Sequence, residues 1–143
     1  MKKIFIDSDI ILDLMAKREP FYASAAKLFT YIEKLNIKVY TSPVVISNIY
    51  YILNKLKGRQ FAINNIKKLR TIINIINVNE KIIDLALTSQ IRDFEDAIQL
   101  YSAKENNIEF LITRNIRDYM DKELKITTAD EFNRIVESAA DFL

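Results

Sequence analysis

Short apolar or β-branched runs alternate along this chain with longer stretches of helical spacing, and nothing else in it narrows the fold as far. "KIFI" (3–6), "KVY" (38–40), "INII" (73–76) and "EFLIT" (109–113) have the length of strands, and "LKIT" (124–127) is a weaker fifth. Between them, helical spacing runs over residues 21–35, 43–57, 59–71, 79–90, 94–106 and 128–140. That interleaving predicts an α/β fold of three layers, α/β/α, with a short, mostly parallel central sheet covered on both faces. Ser42 ahead of Pro43 supplies a capping hydroxyl and a proline at the first helical position, and Thr128 with Glu131 forms a capping box. "KLKGRQ" (55–60) is the clearest break and joins two helices across Gly58. With half of its 143 residues hydrophobic and no linker or repeat, the chain reads as a single domain over 1–143.

Absences restrict the chemistry further. The chain has no histidine and no cysteine, which removes imidazole bases, Ser–His pairs, thiolate nucleophiles and every His or Cys metal site. Catalysis then falls to carboxylates, lysine or tyrosine. A single glycine, Gly58, cannot build a dinucleotide fingerprint or a phosphate loop, since both need several glycines to bring backbone N–H groups against phosphate. No apolar run approaches the roughly 18 residues that span a bilayer, and the amino-terminal "MKKIFIDSD" meets an acid after three apolar residues. The expectation is a soluble, unprocessed, cytoplasmic protein with no membrane partner. A net charge of +2 leaves nucleic-acid binding to local basic clusters.

The acids are more telling. In an open parallel sheet, ligands bind beyond the carboxyl ends of the strands. Asp7 and Asp9 follow the first strand directly, Asp93 and Asp96 lie at the start of the helix from 94, and Asp118 falls just past the strand at 109–113. Asp93 can cap its helix, and Glu95 and Asp96 favour the positive end of the helix dipole. Capping does not account for Asp96 fully: it shares a helix side with Leu100 and Ala103, so it points toward the packed or cleft side, where a carboxylate needs a cation or donors. Asp13 and Glu19 read as surface-helix acids. Several carboxylates at one sheet edge repel unless a divalent cation sits among them, and oxygen-only ligands select Mg2+ or Mn2+. Such a site suits hydrolysis of phosphate esters without histidine.

These segments resemble the PIN domain, the fold of VapC-type toxin ribonucleases. "FIDSDIILDLM" (5–15) resembles the family's opening Asp-x-Asn strand-to-helix motif, with Asp9 in place of asparagine. "SPVVISNIYYIL" (42–53) is similar to its second helix, "DFEDAIQLYSA" (93–103) to the third motif and "LITRNIRDY" (111–119) to the fourth. The resemblance implies a PIN-like domain over 1–143 in which Asp7, Asp96 and Asp118 hold the metal, with Asn115 at the fourth motif's polar position and Asp93 assisting. Family members commonly carry glutamate in the second helix, where this chain has Asn48, a neutral carbonyl in place of a charge.

Function follows from the same resemblance. It implies an endoribonuclease dependent on Mg2+ or Mn2+, the toxin of a type II toxin–antitoxin pair, with a small antitoxin and a homodimer as partners. Arg114 and Arg117 flank Asn115 and are candidates for binding RNA phosphate, while Lys55, Lys57 and Arg59 form a second basic cluster around Gly58. Tyr50 and Tyr51 are candidates for stacking on bases or for core packing. Two rivals stand beside this reading. "DSDII" also fits the Asp-x-Asp start of haloacid-dehalogenase-type phosphotransferases, although the chain lacks the glycines their acidic loop uses. Asn48 is compatible with a degenerate module that binds RNA or a protein partner without cleavage.

Overall fold

A computed structural model describes residues 2–119, 121 and 123–139, and within them the alternation resolves into five strands and seven helices. The order is β1 (Lys3–Ile6), α1 (Ser8–Met15), α2 (Tyr22–Leu35), β2 (Lys38–Thr41), α3 (Pro43–Lys57), α4 (Arg59–Arg70), β3 (Ile73–Ile75), α5 (Glu80–Leu87), α6 (Phe94–Glu105), β4 (Phe110–Ile112), β5 (Lys125–Thr127) and α7 (Ala129–Ser138). A short 3-10 turn, Ile116–Asp118, lies between β4 and β5. All strand pairs are parallel, in the order β3-β2-β1-β4-β5. The chain therefore builds outward from β1 to β2 and β3, then returns to the other side of β1 to lay down β4 and β5. That reversal makes the β1/β4 boundary the switch point of the sheet, the place where open α/β sheets collect their ligands.

Why the strands read as unbroken apolar runs is plain from their burial. Ile4, Phe5 and Ile6 of β1 and Leu111 and Ile112 of β4 are all fully buried, which requires cover on both faces of the sheet. Helices flank it on either side, in the three-layer arrangement expected. α2 packs on α7 and on α1, α3 on α1 and α4, and α5 on α6. α7 is fixed to the sheet by Phe132, whose ring meets that of Phe110 edge-on at 5.2 Å between centroids.

Local chemistry sets the helix ends. Ser42 accepts the Val45 N–H at 3.2 Å with Pro43 beside it, Asn79 accepts from Ile82, and the Thr128–Glu131 capping box is present. α3 and α4 meet at Gly58, whose φ of 88° and ψ of 170° belong to a region that residues with a Cβ essentially do not enter. Two departures from the sequence reading have simple causes. α1 is a helix of only two turns that begins amid acids, too short for apolar spacing to announce. α5 stops at Leu87, short of the expected residue 90, where the Thr88 and Ser89 N–H groups fold back onto Leu85 and Ala86. Residue 140 of the last expected helix lies outside the described residues. Among the described residues no helix is long and apolar enough to cross a membrane.

Candidate active site

The first acid of the chain leaves β1 with its backbone still in the sheet. The Asp7 N–H donates to the Ile112 carbonyl of β4 at 3.0 Å, so the residue sits on the switch point, and its side chain is only 5% exposed. One carboxylate oxygen, Oδ1, accepts the Ser8 N–H at 2.7 Å and caps α1. The other, Oδ2, accepts from the Thr113 hydroxyl at 3.0 Å and from the Tyr119 hydroxyl at 2.9 Å. Capping and site chemistry are thus shared between the two oxygens of one side chain. Burial, aided by the neighbouring charge of Asp9, pushes the Asp7 pKa up to about 6.

Asp96 reaches the same place from the opposite direction. It lies in the first turn of α6, whose N-cap, Asp93, accepts the Asp96 N–H at 3.0 Å. Its Oδ1 is 3.2 Å from the Tyr119 hydroxyl, so one phenol bridges Asp7 and Asp96. Partial burial first, and then the charges of Asp7 and Asp93, push the Asp96 pKa up to about 7. Two carboxylates held this close with raised proton affinity have a deficit of positive charge.

Beside them lies a third carboxylate. Asp9 Oδ2 accepts the Arg114 N–H at 2.9 Å and the Thr113 hydroxyl at 3.3 Å, while Asp9 Oδ1 is buried without a hydrogen-bond partner. Burial raises the Asp9 pKa. Thr113 organises the cluster: it accepts the Asn115 N–H at 3.1 Å and presents its single proton to Asp7 and Asp9.

The other expected site residues divide by where the fold puts them. Asp118 stays exposed on the 3-10 turn, in reach of Asp96 through its charge but not by contact, so of the three acids expected to ligate metal the structure brings two together. Among the described residues no group of three or more His, Cys, Asp or Glu side chains is arranged to hold a metal. Asn48 is at the margin, its amide donating to Ser8 Oγ at 3.3 Å. Asn115 and Arg117 are exposed at the rim. Lys55, Lys57 and Arg59 lie at the far end of α3, about 20 Å along the helix from its start beside the acids. Tyr51 is exposed on α3 and Tyr50 packs against the core.

Arg114 has a different occupation from the one its position suggests. Its Nε is 3.1 Å from Asp13 Oδ2, and its guanidinium stacks 4.0 Å above the centre of the Phe21 ring. Asp13, read from sequence as a surface acid, is 1% exposed, with Arg18 also 3.9 Å away. The reason is that a cation from the end of β4 covers it, more than a hundred residues away in the chain. Tyr119, Thr113 and Asp13 are the residues that sequence reasoning missed. For Asp13 alone a signal existed, because it follows Asp9 by one helical turn and Ile10 by three residues.

Among the described residues, carboxylate and hydroxyl oxygens make up the centre of this site, and a magnesium-type ion commonly takes one or two carboxylates and fills its remaining positions with water. The Asp7–Asp96 pair fits that requirement. A family model described as PIN domain matches residues 3–117. No curated protein matches the chain. Among solved structures, it is similar to a toxin–antitoxin complex from Klebsiella pneumoniae (22% identity, 88% of this chain and 97% of that one, TM-score 0.67). It is similar to VapBC2 from Rickettsia felis, bound to a DNA fragment from its promoter (19% identity, 87% and 96%, TM-score 0.66). Mycobacterium tuberculosis VapC20, described as a sarcin–ricin loop cleaving toxin, also shares the fold (19% identity, 76% and 86%, TM-score 0.63).

Proposed function

The chain belongs to the PIN-domain family, and from that premise we propose that it is of the VapC type, an endoribonuclease dependent on Mg2+ or Mn2+ and the toxin of a type II toxin–antitoxin pair. The observation that carries the reading is the meeting of Asp7 and Asp96 at the switch point, with pKa values pushed to about 6 and about 7 and the Tyr119 hydroxyl against both. A pair so placed binds a cation better than it binds nothing.

In this reading Asp7 and Asp96 hold the ion, Asp118 adds negative charge from the rim, and Asp93 fixes the first turn of α6. The ion, when bound, supplies positive charge to the phosphodiester and acidifies a water molecule. Asp7 keeps its orientation through Ser8 and Thr113, so its carboxylate does not need to be ordered when the substrate arrives. Arg117 and Asn115, exposed at the rim, meet the RNA strand. Arg114 contributes from behind, by tying the end of β4 to Asp13 and Phe21. The partner by this reading is a small antitoxin, as in the VapBC complexes that share the fold, and the toxin itself pairs as a homodimer.

One observation favours a second reading. Asn48 stands where the family commonly has glutamate and donates its amide to Ser8, so the site has one negative charge fewer, as in a module that binds RNA without cutting it. Purified protein with end-labelled single-stranded and structured RNAs separates the two. Cleavage that requires Mg2+ or Mn2+, stops with EDTA and is lost in Asp96→Asn supports the nuclease. RNA binding without turnover under every divalent ion refutes it.

A further inference from the structure

The nuclease reading uses Asp7 and Asp96 and leaves Tyr119 without a role, although this side chain touches both. Tyr119 follows the 3-10 turn, is 5% exposed, and directs its hydroxyl to Asp7 Oδ2 at 2.9 Å and Asp96 Oδ1 at 3.2 Å. A phenol has one proton, so it donates to one of these carboxylates at a time. On Asp7 Oδ2, the Thr113 and Tyr119 hydroxyls together take up the lone pairs. A magnesium-type ion held by Asp7 and Asp96 would take lone pairs of their carboxylate oxygens. The Tyr119 hydroxyl engages one oxygen of each carboxylate.

We propose that Tyr119 is a positioning residue that sets the metal affinity of this site: its hydroxyl and the divalent cation compete for the same lone pairs of Asp7 and Asp96, and the phenol gives up its bridge when the cation binds. This rests on the reading of Asp7 and Asp96 as the metal pair. A side chain that merely propped the carboxylates in place has the opposite signature, because its loss weakens metal binding, by about 10- to 100-fold for a typical outer-shell partner.

The test is Mn2+ titration calorimetry on the full chain and on Tyr119→Phe, with no RNA present. Removing the competing hydrogen bond is expected to tighten Mn2+ binding about fivefold, the equivalent of one net hydrogen bond. Unchanged or weaker affinity overturns the proposal. A second measurement needs no variant: Mg2+, which does not absorb, is added to the native protein and the tyrosine absorption difference recorded. A shift that saturates with Mg2+ is expected, and one that Tyr119→Phe lacks identifies its source among the 7 tyrosines. No shift at saturating Mg2+ overturns the proposal even where the variant does not fold. If native protein, Tyr119→Phe and Asp96→Asn all bind no metal, the metal-dependent reading falls and this proposal with it. If Mn2+ binds native protein and Tyr119→Phe equally and Asp96→Asn not at all, only the role of Tyr119 is refuted.

Discussion

Replacing Asp96 by asparagine should make the protein more stable at neutral pH. In the folded chain the Asp96 pKa is pushed from 3.8 to about 7. The unfolded chain gives up that proton near the ordinary value, so between those two pH values the native state holds more protons, and stability falls as pH rises. The loss begins near pH 4, is complete a little above pH 7, and is absent below the unfolded value. Roughly three powers of ten in proton affinity, at about 1.4 kcal/mol each, amount to about 4 kcal/mol. Asp96 is only half-buried and solvent screens it, so about 2 kcal/mol is the working figure. Asparagine keeps a carbonyl for the Tyr119 hydroxyl and removes the charge. Urea unfolding of both proteins in EDTA, at intervals from pH 4.5 to 8, should show the curves nearly together at the acid end and Asp96→Asn about 2 kcal/mol ahead at pH 7.5. Mg2+ at a hundred times its dissociation constant should return about 2.7 kcal/mol to the native protein and little to the variant. A variant less stable than the native protein at pH 7.5, or a gap independent of pH, would refute the assignment of Asp96 as a strained carboxylate.

Three further outcomes are expected. Asp13→Asn leaves the Arg114 guanidinium without its counter-charge beneath the Phe21 ring and should cost about 2 kcal/mol, below the range for fully buried pairs because Arg114 is partly exposed; an unchanged thermal midpoint would contradict the pairing. Gly58→Ala should destabilise by about 1–3 kcal/mol through its positive φ alone, since the added methyl meets no atom within 4 Å; chemical denaturation measures it, and a neutral result would place the strain elsewhere. Asn48→Glu restores a carboxylate next to Ser8 and should tighten Mn2+ binding about tenfold in calorimetry; no change would put position 48 beyond the reach of the ion.

How far the sequence revealed these features depended on the distance over which each is determined. The sheet was legible because burial on both faces writes its strands as continuous apolar runs, and caps such as Ser42 and Thr128 act within three residues of themselves. Asp7 and Asp96 were legible for a related reason: the end of a strand and the first turn of a helix are positions that topology alone directs to one edge. Tyr119 was not, because an aromatic residue in a loop can face solvent, core or site, and only the path of residues 113–119 turns its hydroxyl inward. Asp13 and Arg114 misled in the same way. By their own neighbours Asp13 looked like a surface charge and Arg114 like a contact for RNA phosphate, and their pairing is decided across the fold. Asp118 shows the reverse, a motif position that the turn leaves exposed.

The order in which the chain is laid down gives the switch point one last consequence. Asp7 is synthesised 106 residues before its partner Thr113 and 112 before Tyr119. β1, the central strand, waits that long for β4, so a nascent chain that has not yet reached β4 has a half-built sheet with an open edge and no carboxylate pair bridged by a phenol. If the finished site cuts RNA, the machinery that makes it is surrounded by RNA, and assembly from segments so far apart in sequence keeps the site incomplete until β4 and the turn after it have been released.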